Sequence, residues 1–247
     1  MKDIVEGGKN VYGFDIGIIM LETRFPRILG DIGNAKTFSY PVLYDIVKGY
    51  KPDKVVLDLK MEDIRPFIDS AKRLEDMGVK AITTSCGFLA MFQSEIASCI
   101  KIPIFTSTIV LLPLLCKMCG GMKVLVLTAN SETLTEKHFV SACGSDYTKY
   151  NFDVVGTQTM KTFTNFTVQN RERVSVRECG NDIMNTVGQA FSKQKYGAVL
   201  MECTNIPPYS DAVREKYKVP VFDIVTLTNF LYMAVNRNGF GIFNGED

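Results

Sequence analysis

The sequence predicts an α/β protein with two similar doubly wound lobes, each containing a mostly parallel sheet of about four strands. Short runs of β-branched residues recur along the chain, and segments with helical periodicity lie between them. These runs show little polar alternation, which is typical of strands that are buried on both faces of a parallel sheet. Several landmarks also recur at one fixed spacing, which indicates a duplicated unit.

The duplication is visible as a constant offset of 117 residues. One segment reads Lys-Ala-Ile-Thr-Thr-Ser-Cys and ends at Cys86, while its counterpart reads Gly-Ala-Val-Leu-Met-Glu-Cys and ends at Cys203. The next segments match as well, since Pro103 and Pro220 each lie within a Lys-x-Pro-x-Phe pattern. We therefore expect two lobes related by a pseudo-twofold axis, with a ligand cleft between them.

The apolar runs predict eight strands, at residues 12–21, 54–59, 79–85, 102–106, 122–128, 153–156, 198–202 and 219–224. The clearest helix covers residues 62–77, where apolar residues recur at steps of three and four and Gly78 follows the last turn. A second helix is predicted to start near Ser131, because Thr133 and Glu136 have the spacing of a capping box. Further helices are predicted at residues 175–194, 208–216 and 226–236.

The boundary between the lobes is predicted at two glycines, Gly120 and Gly121, which precede a new strand. We expect residues 1–118 together with 225–247 to form the first lobe, and residues 119–224 to form the second. The last helix has no counterpart this late in the first unit, so we expect it to pack against the first lobe.

The composition excludes several classes of function. The 247 residues carry a net charge of about +1, which provides no field for binding nucleic acid. No apolar run reaches the roughly 18 residues that span a bilayer, and the first residues lack the apolar core of a signal peptide, so we expect a cytoplasmic protein without membrane partners. Seven cysteines do not suggest a disulfide framework. Cys116 and Cys119 lack the second pair that a zinc site needs, so no metal is expected.

The two matched cysteines are the candidate catalytic residues. Ligands of open parallel sheets bind beyond the carboxyl ends of the strands, and Cys86 and Cys203 lie at such ends. Cysteine ionises near pH ~8.5 and its pKa can be tuned, so one thiolate and one thiol can remove and return a proton on opposite faces of a carbon acid. This chemistry requires no cofactor. His138, the only histidine, lies within a predicted helix, which disfavours a Cys-His nucleophile pair.

Polar residues and one glycine flank these strand ends and are the candidate substrate-binding groups. A glycine lets the backbone approach a ligand closely, and the loop at residues 22–36 is long for its position. Arg24 and Arg27 are either contacts for a substrate anion or surface charges, and Asn130 and Ser131 either bind substrate or cap a helix. The candidates are Thr23, Arg24, Asn34, Ser85, Gly87, Thr128, Asn130, Ser131, Thr204 and Asn205.

Three segments, at residues 17–34, 84–88 and 202–205, resemble the aspartate/glutamate racemase superfamily, and the resemblance extends over nearly the whole chain. It implies two α/β lobes, frequent homodimers and cofactor-independent proton transfer at an amino-acid α-carbon. Cys86 and Cys203 match the two catalytic thiols, Thr204 the hydroxyl residue after the second thiol, and Thr128 a threonine that helps to bind carboxylate. The chain departs from the pattern at Gly87 and Phe88, where Asn-Thr is usual, and at Asn205, where glutamate-specific members have histidine.

The main functional prediction is a racemase or epimerase, an isomerase independent of pyridoxal phosphate, that moves the α-proton of a small carboxylate such as aspartate or glutamate. One alternative is a cysteine-dependent isomerase or decarboxylase of the hydantoin, maleate or arylmalonate type. A related alternative is a lyase in which one thiol alone acts, because Ser85 and Gly87 surround one thiol and Glu202 and Thr204 surround the other. A third alternative is a small-molecule sensor without catalytic activity.

Overall fold

The structure is a computed structural model, and it describes residue 4 and residues 7–236. The first sheet has β1 (Ile16–Leu21), which is buried along its whole length, between β2 (Val42–Val47) and β3 (Ala81–Thr84). The short strand β4 (Ile104–Phe105) extends the sheet beside β3. All three pairings are parallel, and the strand order is β2-β1-β3-β4.

The second sheet repeats this arrangement. It contains β5 (Lys123–Thr128), β6 (Phe152–Gly156), β7 (Tyr196–Met201) and β8 (Val221–Phe222). The strand order is β6-β5-β7-β8, again with parallel pairing throughout. Two parallel four-stranded sheets of equivalent topology confirm the predicted fold class.

Helices flank both sheets. Those of the first half are α1 (Pro52–Asp58), α2 (Arg65–Met77), α3 (Gln93–Ser98) and α4 (Leu112–Met118). Those of the second half are α5 (Glu136–Cys143), α6 (Phe163–Val168), α7 (Val176–Phe191), α8 (Ser210–Tyr217) and α9 (Ile224–Val235). Short 3-10 segments cover Ala35–Thr37, Met61–Ile64, Gly87–Phe92, Thr108–Leu111, Ser145–Lys149 and Pro207–Tyr209. Within the described part of the chain, no helix is both long and apolar enough to cross a membrane.

The strand predicted at residues 54–59 is wrong, because this segment belongs to α1. Pro52 occupies the first helical turn, where its missing N–H costs no hydrogen bond, and Asp53 provides the negative charge that favours a helix start. The second strand of the sheet is instead Val42–Val47, at the sheet edge. Its central Asp45 interrupts the apolar pattern and pairs with Arg73 of α2. A charged residue in an edge strand therefore concealed the strand.

The helix predicted to start near Ser131 begins five residues later, at Glu136. The capping box is formed by Thr135 and His138, so the pairing inferred from sequence spacing was also wrong. The side chain of Asn130 accepts a hydrogen bond from the backbone N–H two residues later, at 2.9 Å. This local turn satisfies the backbone in another way and delays the helix.

The last helix returns to the first sheet. Ile224, Leu227 and Leu231 of α9 share an apolar cluster with Ile16 and Ile18 of β1. The helix therefore contacts the first sheet although it follows the second sheet in the sequence. The domain boundaries themselves stay a prediction, and residues 237–247, assigned above to the first lobe, lie outside the described residues.

Candidate active site

The two matched thiols line one pocket. Cys86 lies two residues beyond the end of β3, and Cys203 lies two residues beyond the end of β7. Each residue is 8% exposed, and both contribute to the wall of a pocket with an empty volume of about 390 Å³. Because each thiol extends from a different sheet, the pocket lies where the carboxyl ends of the two sheets meet.

The sulfur atoms of the two cysteines have equivalent backbone contacts. The N–H of Phe88 contacts the sulfur of Cys86, and the N–H of Asn205 contacts the sulfur of Cys203. In each copy the donor is the residue two positions after the cysteine, as the duplication requires. These contacts favour the thiolate form of each cysteine and lower its pKa.

Burial nevertheless keeps both thiols protonated at neutral pH. Desolvation, together with the nearby Glu202 carboxylate, raises the pKa of Cys86 to about 12. The same two causes raise the pKa of Cys203 well above its ordinary value. The positive charge of Arg27 partly opposes this effect at Cys86, whereas the negative charge of Asp31 adds to it at Cys203. A thiolate in this pocket therefore requires a change in the surrounding charges.

Glu202 is a buried carboxylate that directly precedes the second thiol in the sequence and lines the same pocket as both thiols. It is fully buried, and burial raises its pKa to about 7. Its Oε2 accepts a hydrogen bond of 2.6 Å from Thr128 Oγ1, which opposes that rise, while its Oε1 has no hydrogen-bond partner among the described residues. Gly87 lies directly against this carboxyl group and leaves room for it, because a Cβ atom there would overlap Oε1.

Arg27 provides the positive charge of the pocket wall. Its guanidinium donates to Asp31 Oδ1 at 2.9 Å and to Thr23 Oγ1 at 3.0 Å, and it lies 4.3 Å from the ring centroid of Phe25. Its Nε is buried and has no partner in the described part of the chain. The second oxygen of Asp31 accepts from Asn205 Nδ2 at 2.8 Å, so this network connects the loop after β1 with the segment that carries the second thiol.

A hydrogen bond also joins the two strand ends directly. Thr204, which follows the second thiol, donates from Oγ1 to the carbonyl oxygen of Ser85, which precedes the first thiol, at 2.5 Å. Ser85 Oγ in turn accepts from the backbone N–H of Leu21 at 3.0 Å. Both groups are buried, so these bonds hold the two thiol-bearing segments in a fixed relation.

The structure brings together half of the candidate binding residues. The pocket wall includes both thiols and also Thr23, Ser85, Gly87, Thr204 and Asn205. The other five candidates do not line it: Arg24, Asn34, Thr128, Asn130 and Ser131.

These five side chains have other partners. The Arg24 side chain is 75% exposed and pairs with Glu172 at the surface. Asn34 Nδ2 donates to the carbonyl oxygen of Arg27, and Thr128 donates to Glu202. Both therefore contact residues of the pocket wall without lining the pocket themselves. Two more have local roles: the side chain of Asn130 accepts from a backbone N–H, and Ser131 contacts the side chain of Gln158.

Sequence reasoning did not select the two charged pocket residues. Arg27 was weighed together with Arg24, and nothing in the sequence distinguishes the buried arginine from the exposed one. Glu202 had a usable signal, since it is a carboxylate at the end of an apolar strand and occupies the position that matches Ser85. The remaining wall is mostly apolar and comes from several elements that sequence spacing does not connect: Leu21, Phe25, Pro52, Val56, Phe88, Ala129, Thr167 and Val168.

Solved structures with a similar fold are racemases and decarboxylases. Allantoin racemase from Klebsiella pneumoniae has a TM-score of 0.62 at 11% identity, covering 89% of this chain and 87% of that chain. Glutamate racemase from Francisella tularensis subsp. tularensis SCHU S4, in complex with D-glutamate, has a TM-score of 0.58 at 14% identity, covering 90% and 81%. Unliganded arylmalonate decarboxylase has a TM-score of 0.55 at 13% identity, covering 91% and 93%. At such low identity these similarities show the racemase-like fold alone.

Curated proteins with similar sequences are lyases, in contrast to the racemases and the decarboxylase of similar fold. Dimethylsulfoniopropionate lyase 7 of Emiliania huxleyi (strain CCMP1516) is 33% identical over 93% of this chain and 70% of its own length. Dimethylsulfoniopropionate lyase 3 of the same strain is 31% identical over 93% and 62%. Dimethylsulfoniopropionate lyase of Durusdinium sp. clade D is 30% identical over 94% and 79%. The chain thus spans between about three fifths and four fifths of these relatives. No family model matches it.

The prediction of a racemase or epimerase, and with it the isomerase class, is therefore wrong, because these relatives are lyases. The error has a physical reason. Paired thiols and a racemase-like fold led to the expectation of proton transfer at an acidic carbon atom, but neither feature specifies what becomes of the carbanion, which depends on the substrate. The alternatives left open above, which included a cysteine-dependent lyase, agree better with the relatives. The chain belongs to the dimethylsulfoniopropionate lyase family.

Proposed function

We propose that this protein is a cysteine-dependent lyase that releases dimethyl sulfide from 3-(dimethylsulfonio)propionate. The observation that carries the proposal is the placement of Cys86 and Cys203 on the wall of one pocket, in a chain whose relatives are lyases of this compound. Both thiols belong to the proposed catalytic machinery. Thr23, Ser85 and the other polar residues of the pocket wall belong to the proposed binding site.

The proposed reaction is a β-elimination. A thiolate of the Cys86 and Cys203 pair removes a proton from the carbon next to the carboxylate, and the proton stays on sulfur. The electron pair left on this carbon forms the C=C bond of acrylate. The bond between the β-carbon and sulfur breaks with both electrons going to sulfur, so the sulfonium leaves as neutral dimethyl sulfide. The first step is the one expected of a racemase, and the leaving group on the neighbouring carbon changes the outcome.

The charge of this substrate supports thiolate formation. Both thiols have raised pKa values because of burial and the Glu202 carboxylate. A sulfonium cation in the pocket offsets that negative charge and lowers the pKa of a neighbouring thiol, since an opposite charge favours the ionised form. The reactive base is then formed when the substrate is bound, and the empty site stays protected from oxidation and alkylation.

The decisive experiment measures the products. We expect the purified chain, incubated with 3-(dimethylsulfonio)propionate, to release dimethyl sulfide into the headspace and to form an equal amount of acrylate by proton NMR. The variants Cys86→Ser and Cys203→Ser should lose at least about 100-fold in rate, the scale of general acid–base catalysis. Cys99→Ser is the matched control, because this cysteine lies outside the pocket wall.

Two results would contradict the proposal. The first is a folded wild-type chain that forms neither product above the rate in buffer. The second is full activity in both pocket variants. We also propose the homodimer implied by the racemase resemblance, and sedimentation velocity at several protein concentrations tests it independently.

A further inference from the structure

Two buried charged atoms of the pocket wall have no partner. Within the described residues, five buried side-chain atoms lack a hydrogen bond, and only two of them belong to charged side chains that line the pocket. They are Nε of Arg27 and Oε1 of Glu202. Each group has other partners, Asp31 and Thr23 for Arg27 and Thr128 for Glu202, but a buried polar atom that stays unpaired is unfavourable, so in a binding pocket it indicates what the ligand supplies.

The two unpaired atoms have opposite character. Arg27 Nε–H is a charge-assisted donor, which suits a carboxylate, and Glu202 Oε1 is a carboxylate oxygen, which suits a cation. A ligand that carries a carboxylate at one end and a cation at the other satisfies both groups at once. A plain carboxylic acid satisfies Arg27 and leaves Glu202 unpaired.

The surroundings of Glu202 suit a cation without N–H groups. The hydrogen bond from Thr128 Oγ1 holds Oε2, and Oε1 lies against the backbone of Gly87, the residue that follows the first thiol. The pocket wall also contains the aromatic ring of Phe88, whereas the guanidinium of Arg27 already lies over the ring of Phe25. Alkylated sulfonium and ammonium groups are attracted to carboxylates and to aromatic faces by charge alone.

We propose that Glu202 is the counter-ion of the sulfonium group, and that it makes the pocket selective for zwitterionic onium carboxylates over plain carboxylates. Arg27 holds the carboxylate end of the same ligand. This inference rests on the proposed function, because it assigns the two charges of the proposed substrate to two residues. It makes Glu202 a specificity-determining residue, whereas the proton transfer belongs to the thiols.

The test compares two compounds that keep the propionate chain but lack the sulfonium leaving group. In 3-(trimethylammonio)propionate a quaternary ammonium replaces the sulfonium, and in 4-methylpentanoate a neutral carbon replaces the sulfur. Isothermal titration calorimetry at pH 8 gives their dissociation constants for the wild type, Glu202→Gln and Thr128→Val. We expect the wild type to bind the ammonium compound at least about tenfold more tightly than 4-methylpentanoate, because the ammonium group and the Glu202 carboxylate attract each other in a partly desolvated site.

The variants separate charge from shape. Glu202→Gln keeps the size of the side chain and an oxygen that accepts from Thr128, but it removes the charge. The dissociation constants of the two compounds should therefore become about equal in this variant. Thr128→Val removes the hydrogen bond that holds the pKa of Glu202 down, so the preference should be smaller than that of the wild type at pH 8 and should recover at higher pH. Equal weakening of both compounds by Glu202→Gln, or an unchanged preference, would overturn the inference.

The assay does not depend on turnover, so its failure and the failure of the proposed function are distinguishable. A chain without lyase activity that still prefers the ammonium compound through Glu202 keeps this inference and loses the proposed function. An active lyase whose Glu202→Gln variant still prefers the ammonium compound keeps the proposed function and refutes this inference.

If Glu202→Gln fails to fold, as judged by circular dichroism, the wild type decides the question alone. The preference should increase between pH 6 and pH 8, because the Glu202 carboxyl ionises in that range. In the unliganded pocket the neighbouring thiols of Cys86 and Cys203 stay protonated over this range, and Arg27 is paired with Asp31. A preference that does not change with pH would overturn the inference.

Discussion

Gly87 and Glu202 are fitted to each other across the two halves of the chain. A Cβ atom at Gly87 would lie well under 3.0 Å from Oε1 and from the carbonyl oxygen of Glu202. The residue after the first thiol therefore has no side chain because the residue before the second thiol places a carboxyl group there. The departure from the racemase pattern at Gly87 thus has a structural reason in this protein.

We predict that Gly87→Ala destabilises the protein by about 1–3 kcal/mol, the usual cost of overpacking a buried site. The added methyl group meets a backbone oxygen as well as a side chain, so shortening residue 202 should not rescue it, and Gly87→Ala with Glu202→Ala should remain destabilised. Urea unfolding measures both free energies. Gly7→Ala is the control, since its Cβ meets nothing closer than 3.9 Å. Rescue by the second substitution would show that the backbone contact is unimportant.

The buried carboxylate should make stability depend on pH. The pKa of Glu202 is raised from 4.5 to about 7, so between these values the unfolded chain holds fewer protons than the folded one. The free energy of unfolding therefore falls as pH rises from about 4.5 to about 7. Glu202→Gln removes this loss and should gain on the order of 3 kcal/mol relative to the wild type between pH 4 and pH 8. Parallel stability curves for the two proteins, from urea unfolding at several pH values, would contradict the assignment.

The fold was predictable because its signals are local and repeated. The buried β-branched runs before Cys86 and Cys203 indicate parallel strands, and their constant spacing indicates equivalent positions in two sheets. The edge strand Val42–Val47 was not predictable in the same way, because Asp45 finds its partners, Ser70 and Arg73, in α2. A charged residue that is stabilised by distant partners interrupts the apolar pattern of its own strand, so the sequence pattern does not indicate the strand.

The candidate site was predictable only in part, for a related reason. The positions of the thiols follow from their strand ends, whereas Arg27 and Glu202 line the pocket because of tertiary contacts with other elements. Arg24 and Arg27 are three positions apart, yet one is surface-exposed and the other is fixed by Asp31. A lyase could be kept only as an alternative at the level of the sequence, because the proposed elimination depends on a leaving group that belongs to the substrate.

The guanidinium of Arg27 should be needed for carboxylate binding. Lysine at this position keeps the charge but loses Nε–H and the planar group that bonds both Thr23 and Asp31. We expect Arg27→Lys to raise the KM for 3-(dimethylsulfonio)propionate by at least about tenfold, the scale of one charge-assisted hydrogen bond. Arg65→Lys, which changes an exposed ion pair on α2, should leave KM unchanged. A similar KM in all three proteins would remove Arg27 from the binding site.

The pocket thiols should react slowly with iodoacetamide, and Glu202 should be part of the cause. Its negative charge raises the pKa values of Cys86 and Cys203, and the thiolate is the reactive form. Glu202→Gln should therefore accelerate alkylation at both positions. Cys143 is the internal control, because burial also raises its pKa to about 12 and the titratable group next to it is Cys116 instead of Glu202. Peptide mass spectrometry measures each rate, and equal acceleration at Cys143 would indicate general loosening of the fold.

The hydrogen bond between Thr204 and Ser85 should couple the two halves of the active site. Thr204→Val preserves the shape of the side chain but leaves the buried carbonyl oxygen of Ser85 without this donor, which costs about 1–3 kcal/mol. We expect urea unfolding to show this loss and lyase activity to fall more than stability explains, because the bond sets the relation of the two thiol-bearing strand ends. Thr204→Ser keeps the hydroxyl group and should retain most of both properties. If valine and serine have the same effect on activity, the methyl group of Thr204 matters and the hydrogen bond does not.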